Sequence, residues 1–273
     1  MIPANELDYV RTLARVKAAI VIEAAKDYLI ESRLEPVARR EGFASTHEFI
    51  RSMRENQGPG RLHDATIDAL TTNETLFFRD HHPFDALRQT VLPELISARG
   101  RYRKLRIWSA ACSSGQEPYS IAMLIADKFP ELDSWDLRII ATDLSDTILD
   151  QARAGAYSKF EINRGLPAPM LVKYFEQHDQ RWVIRENLRK KIEFRKLNLA
   201  EKFPILPQFD LIFLRNVMIY FDLKTKRQIL SSVRRVLAPD GYLALGSSET
   251  PLTITADLRS VPVGRTVFYQ YCG

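Results

Sequence analysis

The chain has 273 residues, 45% of them apolar and 27% charged, the balance of a globular protein long enough for one large domain or two modest ones. Its longest early apolar run, residues 18–22, is far too short to span a bilayer, and no cleavage-site pattern follows a basic leader; this predicts a cytoplasmic protein without membrane insertion. Two cysteines, Cys112 and Cys272, exclude a disulfide framework and stand in no metal-ligand spacing, and Cys112 reads as a small filler.

The net charge of +5 invites a nucleic-acid reading. Residues 1–70, however, carry ten Lys/Arg against eleven Asp/Glu, so the excess lies downstream, dispersed apart from residues 99–106 and 185–195. A solvated basic surface, or one suited to an acidic protein partner, accounts for it equally well.

Residues 1–70 read as a small helical domain. Leu7, Val10, Leu13 and Ala14 recur at helical spacing, and Ile20 to Ile30 continues it. Pro36 suits the first turn of a further helix that Gly42 stops, and Ser45-Thr46-His47-Glu48 forms a capping box ahead of Phe49, Ile50 and Met53. Gly58-Pro59-Gly60 then breaks the chain. Lys26, Arg33 and Arg40 fall seven residues apart and share one helical face if Pro36 bends the chain only mildly. That face is either simply solvated or a docking face for an acidic helical partner.

Residues 71–80 read as a linker with a short helix that places Arg79 one turn after Thr75, and His81-His82-Pro83 as a loop. From residue 105 strand and helix alternate. Strands are expected at Leu105–Ala110, Leu137–Thr142, Ile192–Leu197, Leu211–Leu214 and Tyr242–Leu245, with helices starting near Gln116, Ser145 and Leu223. This is the pattern of an α/β fold, a parallel sheet with helices on both faces. Tyr242–Ser247 and Thr266–Tyr271 read as a late hairpin-like pair at an antiparallel edge. Between Gln151 and Lys191 the rhythm fails; a helical piece at Met170–Phe175 and β-like runs at Trp182–Ile184 and Lys191–Phe194 suggest a small insertion.

The informative stretch is Ile107 to Ser120, a buried strand, a run of small residues from Ser109 to Gly115, and a helix start with Pro118 in its first turn. A strand–turn–helix of this kind holds nucleoside-bearing ligands. A dinucleotide turn needs G-x-G-x-x-G to close on a pyrophosphate, and Gly115 stands alone here. S-adenosylmethionine, which carries no phosphate, suits the turn better. Asp143, ending the second strand, is placed to accept ribose hydroxyls, although Asp143 or Ser145 also suits the cap of the next helix. Glu117 is a second carboxylate, equally at home in a helix first turn. Asn198 and Asn216 follow the third and fourth strands on the carboxyl edge, where open α/β sheets bind ligands.

Four ordered motifs, Thr71-Thr72-Asn73-Glu74-Thr75 with Phe77-Phe78-Arg79, Trp108 to Ser120, Ala141-Thr142-Asp143, and Arg215 to Phe221, together resemble the chemotaxis receptor glutamate O-methyltransferases, the CheR family. The resemblance implies an all-α domain at 1–70 that docks on receptors. A class I S-adenosylmethionine-dependent methyltransferase domain at 71–273 would follow, with an inserted β subdomain at about 172–194. It implies methyl transfer from S-adenosylmethionine to glutamates in the helical methylation region of chemotaxis receptors, giving methyl esters and S-adenosylhomocysteine. By carry-over Asn73, Thr75, Arg79, Glu117, Asp143, Asn198, Leu199, Asn216 and Val217 contact the cofactor, and Arg79 and Tyr220 lie nearest the transferring methyl as the catalytic pair. Lys26, Arg33 and Arg40 would be the substrate-docking residues.

Such chemistry requires neither metal nor general base. A glutamate with a pKa of about 4.3 is already a carboxylate at neutral pH, and catalysis reduces to in-line alignment within about 3–3.5 Å. Relatives that tether to a receptor's C-terminal pentapeptide carry a longer, glycine-containing loop than Phe175 to Trp182, so no tether is expected. Gln116 replaces an acidic residue often found before Glu117. A monomer without nucleic-acid partners is expected. The rivals are a class I methyltransferase acting on RNA or a small molecule, against which the chain lacks an Asn-Pro-Pro-Tyr motif, and a non-catalytic adaptor that keeps the fold.

Overall fold

The computed structural model describes residues 2–55 and 60–272, so Gly58 and Pro59 of the expected chain break lie outside the described residues. Two compact units are formed: the residues up to Thr72 with Tyr220–Thr225, and Asn73–Ile219 with the residues from Lys226 onward.

The first unit is built on α1 (Ala4–Ala18), α2 (Asp27–Arg40), α3 (Thr46–Glu55) and α4 (Arg61–Leu70). Val10, Leu13 and Ala14 of α1, Ile30, Leu34 and Val37 of α2, Phe49, Ile50 and Met53 of α3, and Ile67 and Leu70 of α4 are buried. Each large apolar side chain contributes about 1.5–3 kcal/mol on burial, several times an exposed ion pair, so these stripes fix which faces turn inward. Two expectations need correction. The helical pattern of Ile20–Ile30 is broken: Ala19 takes a left-handed φ of 54°, residues 20–23 leave the helix, and a 3₁₀ turn at Ala24–Lys26 precedes α2. Pro36 lies inside α2 rather than at a helix start. An interior proline costs about 3 kcal/mol, which the buried stripe of α2 offsets. The cap of α3 is reciprocal: Glu48 N donates to Ser45 Oγ (3.1 Å) and Glu48 Oε2 accepts from Ala44 N (3.0 Å).

The second unit opens with α5 (His82–Ala86), a π-helical turn at Leu87–Val91 and α6 (Leu92–Arg99). The wider turn falls just before Pro93, whose ring clashes with the carbonyl four residues back in a regular helix. There follow β1 (Lys104–Ala110), α7 (Gln116–Lys128), β2 (Asp136–Asp143), α8 (Asp146–Ala154), β3 (Ala156–Ser158), α9 (Lys159–Asn163), α10 (Ala168–Tyr174), β4 (Phe175–His178), β5 (Arg181–Ile184), α11 (Glu186–Arg189), β6 (Ile192–Lys196), β7 (Phe209–Leu214), α12 (Leu223–Val236), β8 (Leu237–Leu245), β9 (Leu258–Val263) and β10 (Thr266–Tyr271).

The main sheet runs β6-β2-β1-β7-β8-β10-β9, parallel from β6 through β8. The chain steps outward from β1 through β2 to β6, then crosses back to β7 on the other side of β1. Right-handed crossovers therefore put α7 and α8 on one face and α12 on the other. The reversal between β1 and β7 opens a crevice at their carboxyl ends. At the antiparallel end β10 pairs with β8, as the late strands suggest, but the hairpin partner of β10 is β9, which the sequence reading missed. Pro262, which has no N–H to donate, lies on this outermost strand, where no further ladder asks for one.

The insertion is a three-stranded sheet, β3-β5-β4, spanning residues 156–184. The β-like run at 191–194 belongs instead to β6 of the main sheet. Asp179 supplies the left-handed residue (φ 50°) of the β4–β5 turn, a conformation Asp tolerates. Much of the basic character is neutralised locally. Arg99 bridges Asp210 (2.6 Å) and Asp240 (2.5 Å), Arg106 pairs with Asp136, and Lys191 pairs with Asp133.

Candidate active site

The apolar run of β1 ends at Ala110, and the chain must turn into α7 within five residues. It does so through three left-handed positions, Ala111 (φ 56°), Ser113 (φ 51°) and Gly115 (φ 95°). A Cβ at Gly115 would meet Ala152 Cβ at 3.1 Å and Tyr157 Oη at 3.2 Å, which explains the lone glycine. The phenol of Tyr157 donates to Ser114 O (2.7 Å) and that of Tyr119 to Ala152 O (2.8 Å). Burial pushes the Tyr157 phenol well up, so it stays a neutral donor. Cys112 is buried as a filler, and burial, reinforced by Asp143 and Glu117, pushes its thiol up.

Asp143 ends β2 and is buried. Its Oδ2 accepts from Ser113 N (2.9 Å) and its Oδ1 from Ser145 N (3.2 Å). The cap of α8 is Ser145, whose Oγ accepts from Ile148 N (3.2 Å). Asp143 is thus not that cap; it faces the turn of β1. Glu117 Oε1 accepts from Ser109 Oγ (2.7 Å) and Oε2 from Arg215 Nη1 (3.2 Å). Burial raises the Glu117 carboxyl above its ordinary value, opposed by the charges of Arg215 and Arg79 and by the Ser109 bond.

The segment Asn73–Asp80 is an irregular strap; the expected short helix does not form. Phe78 (φ 49°), Asp80 (φ 69°) and His81 (φ 49°) are left-handed, a cluster of strain at non-glycine residues. It is held by Ser120 Oγ, which accepts from Phe78 N (2.9 Å), by Ser113 Oγ donating to Asn73 O (2.8 Å), and by Arg215 Nη2 donating to Arg79 O (3.0 Å) and Asp80 Oδ2 (2.7 Å). Arg79 is half-buried and donates from Nη1 to Glu74 O (2.9 Å); Thr75 is half-buried on the same strap.

Asn198 follows β6 and folds onto its own backbone, Oδ1 accepting from Ala200 N (3.0 Å), with Leu199 buried beside it. Asn216 and Val217 follow β7; Asn216 is left-handed (φ 57°), and both are half-buried. Tyr220 closes the 3₁₀ turn Met218–Tyr220 and belongs to the first unit, where its carbonyl accepts from Val21 N (3.2 Å). Of the basic trio, Lys26 sits in the 3₁₀ turn ahead of α2, 3.6 Å from Glu23, and Arg40 is exposed at the end of α2. Arg33 donates to Leu70 O (2.6 Å) and Thr72 Oγ1 (2.8 Å).

The carboxyl ends of β1, β2, β6 and β7 thus bring together Asp143, Glu117, Asn198, Asn216 and the strap bearing Asn73, Thr75 and Arg79. The buried Asp143 and the half-buried Glu117 repel a pyrophosphate and suit a ligand with ribose hydroxyls and a cationic centre, the chemistry of S-adenosylmethionine. Among the described residues no group of three or more His, Cys, Asp or Glu is arranged to hold a metal. Two residues of this neighbourhood escaped the sequence reading as site residues, Arg215 and Glu249. A charge placed directly after the apolar run Leu211–Leu214 was a signal for the first. The second had none.

This sheet order with its nucleoside turn defines an S-adenosylmethionine-dependent methyltransferase. Residues 73–266 match the family model described as "CheR methyltransferase, SAM binding domain", and residues 5–71 match "CheR methyltransferase, all-alpha domain". The chain is 43% identical over 270 residues to chemotaxis protein methyltransferase 1 of Pseudomonas aeruginosa, covering 97% of each chain. It is 38% identical to chemotaxis protein methyltransferase Cher2 of Pseudomonas putida, again over 97% of each. A third relative, chemotaxis protein methyltransferase 1 of Vibrio cholerae, is 38% identical over 93% of this chain and 92% of its own. The chain belongs to the CheR methyltransferase family, with S-adenosylmethionine as its cofactor.

Proposed function

We propose a division of labour for the reaction of this chain, methyl transfer from S-adenosylmethionine to glutamate side chains of chemotaxis receptors. The observation that carries it is a pair of carboxylates, the buried Asp143 and the half-buried Glu117, flanking the turn 111–115 at the switch point of the sheet. When bound, the cofactor supplies a methyl group made electrophilic by the positive sulfur. Asp143 receives the ribose hydroxyls, and Glu117 counters the cationic end. Asn198 with Leu199 and Asn216 with Val217 line the nucleoside. Asn73, Thr75 and Arg79 on the strap take the amino-acid end.

The receptor glutamate arrives as a carboxylate, so no protein group has to remove a proton. Arg79 and Tyr220 orient the reacting groups. Too firm a pair between Arg79 and the substrate carboxylate would blunt the nucleophile, so Arg79 orients the cofactor's reactive end instead. No metal takes part.

The all-α unit docks on the helical methylation region of the receptor. Lys26, Arg33 and Arg40 carry that contact, each already holding a neighbour in its own unit, Glu23, Leu70 O with Thr72, and Glu41 respectively. The enzyme acts in the cytoplasm as a monomer, without nucleic acid and without a pentapeptide tether. Among the described residues no helix is long and apolar enough to cross a membrane.

The test is methylation of purified receptor cytoplasmic domains with methyl-labelled S-adenosylmethionine. Label released as methanol by mild alkali, mapping to glutamates, is the expected result. Alkali-stable label on nucleic acid or on an amine overturns it.

A further inference from the structure

After β8 the chain turns through Gly246-Ser247-Ser248-Glu249, and the Glu249 carboxylate folds back over the end of β7. Its Oε2 accepts from Asn216 N and from Gly246 N, and its Oε1 from Met218 N, each at 2.7 Å. Three backbone donors from two loops thus converge on the carboxylate of a residue that is 9% exposed. The approach is close. A Cβ on Gly246 would lie 2.7 Å from both Asn216 Nδ2 and Glu249 Oε2, so only glycine admits the contact. The loop so held is unusual in its own right, because Asn216 keeps a left-handed φ of 57°.

We infer that Glu249 is a positioning residue for cofactor binding, acting by holding Asn216 and Val217 in the conformation that receives the nucleoside. This rests on the assignment of Asn216 and Val217 to the cofactor made above. The physical argument is that short, charge-assisted bonds to several converging N–H groups fix a loop that no regular structure supports. Only a carboxylate does this with both oxygens at once. In a glutamine at 249, either orientation of the amide turns an NH₂ group against at least one backbone donor. Glu249 itself touches no reacting atom in this scheme, so it governs affinity and not the chemical step.

The test compares wild type with Glu249→Gln and Gly246→Ala, using calorimetric titration with S-adenosylhomocysteine, steady-state kinetics and thermal melting. Gly246→Ala forces the clamp apart without removing its charge, so it reads the same interaction should the glutamine variant fail to fold. Asp257→Asn, which removes an exposed carboxylate paired with Arg234, is the control. The expected result is about a tenfold loss of S-adenosylhomocysteine affinity in folded variants. KM for S-adenosylmethionine should rise in step, with kcat at saturating cofactor unchanged. Wild-type affinity in both variants, or a fall in kcat with unchanged KM, overturns the inference. Failure of the wild type itself to bind S-adenosylhomocysteine overturns the cofactor assignment instead.

Discussion

Arg215 Nη2 donates to Asp80 Oδ2 at 2.7 Å, joining two residues 135 positions apart in the chain. The same guanidinium, with a side chain only 1% exposed, reaches Glu117 Oε2 and the carbonyl of Arg79 and lies 5.9 Å from the centre of the Phe84 ring. One buried arginine therefore ties the end of β7, the strained strap and the first turn of α7 into one unit. Removing it leaves Glu117 without its main opposing charge. Arg215→Ala is expected to cost about 3 kcal/mol, the scale for breaking a buried pair. For a chain of this size that lowers the melting temperature by about 6–12 °C, measurable by calorimetry. An unchanged melting temperature would show that the junction contributes nothing to stability.

Glu117 makes stability depend on pH in a direction opposite to most paired carboxylates. Burial raises its folded-state pKa, so the native state holds that proton more tightly than the unfolded chain. Its favourable contribution is complete below the unfolded value of about 4.3 and is lost as pH rises through the raised value. The stability of wild type relative to Glu117→Gln should accordingly fall as pH increases across that interval. Urea unfolding of both proteins at several pH values checks it, and a difference independent of pH would refute the shift.

The opposite sign is expected on the other edge of the sheet. Asp240 is held below the ordinary carboxylate range chiefly by its hydrogen bond from Arg99. Its contribution is present above the unfolded value of about 3.9 and disappears as pH falls through the lowered one. Because its side chain is 57% exposed, the contribution is under about 1 kcal/mol. Asp240→Asn should soften the acid limb of the stability profile and leave methylation at neutral pH unaltered.

Arg79→Ala and Tyr220→Phe separate orientation from binding. Both should lower kcat while changing S-adenosylhomocysteine affinity far less, as read by single-turnover kinetics alongside calorimetry. Unchanged kcat in both variants would remove them from the reacting centre.

The β4–β5 turn is closed tightly by Asp179 (φ 50°), with no glycine in the hairpin. Titration with a receptor-tail pentapeptide is expected to show no binding at micromolar concentration, and saturable micromolar binding would establish a tether.

The strands and helices around the nucleoside turn were readable because their causes are local. The alternation of apolar runs, the small residues 109–115 and Pro118 in a first helical turn act over a few residues. Asp143 was legible for a similar reason, standing where an apolar strand must stop. Local signals failed where a neighbour in space decided the outcome. Pro36 resides inside α2 because tertiary burial outweighs its backbone cost. The strap 73–80 abandons its helical spacing because Ser120 and Arg215 hold it in a conformation no propensity favours. β9 forms because β10 offers it an edge.

The same division separates the chemistry from its support. By itself the sequence determined the strand–turn–helix of residues 107–120 and the carboxylate at the end of the second strand, since their causes are local, while the other residues proposed for the cofactor came from the resemblance to the family. Only the tertiary structure decided that Arg215 and Glu249 hold that turn's neighbours in place. A buried charge acquires its meaning from partners brought to it by the sheet, and, Gly246 beside Glu249 apart, those partners stand 31 to 136 residues along the chain and leave no pattern in the sequence around it.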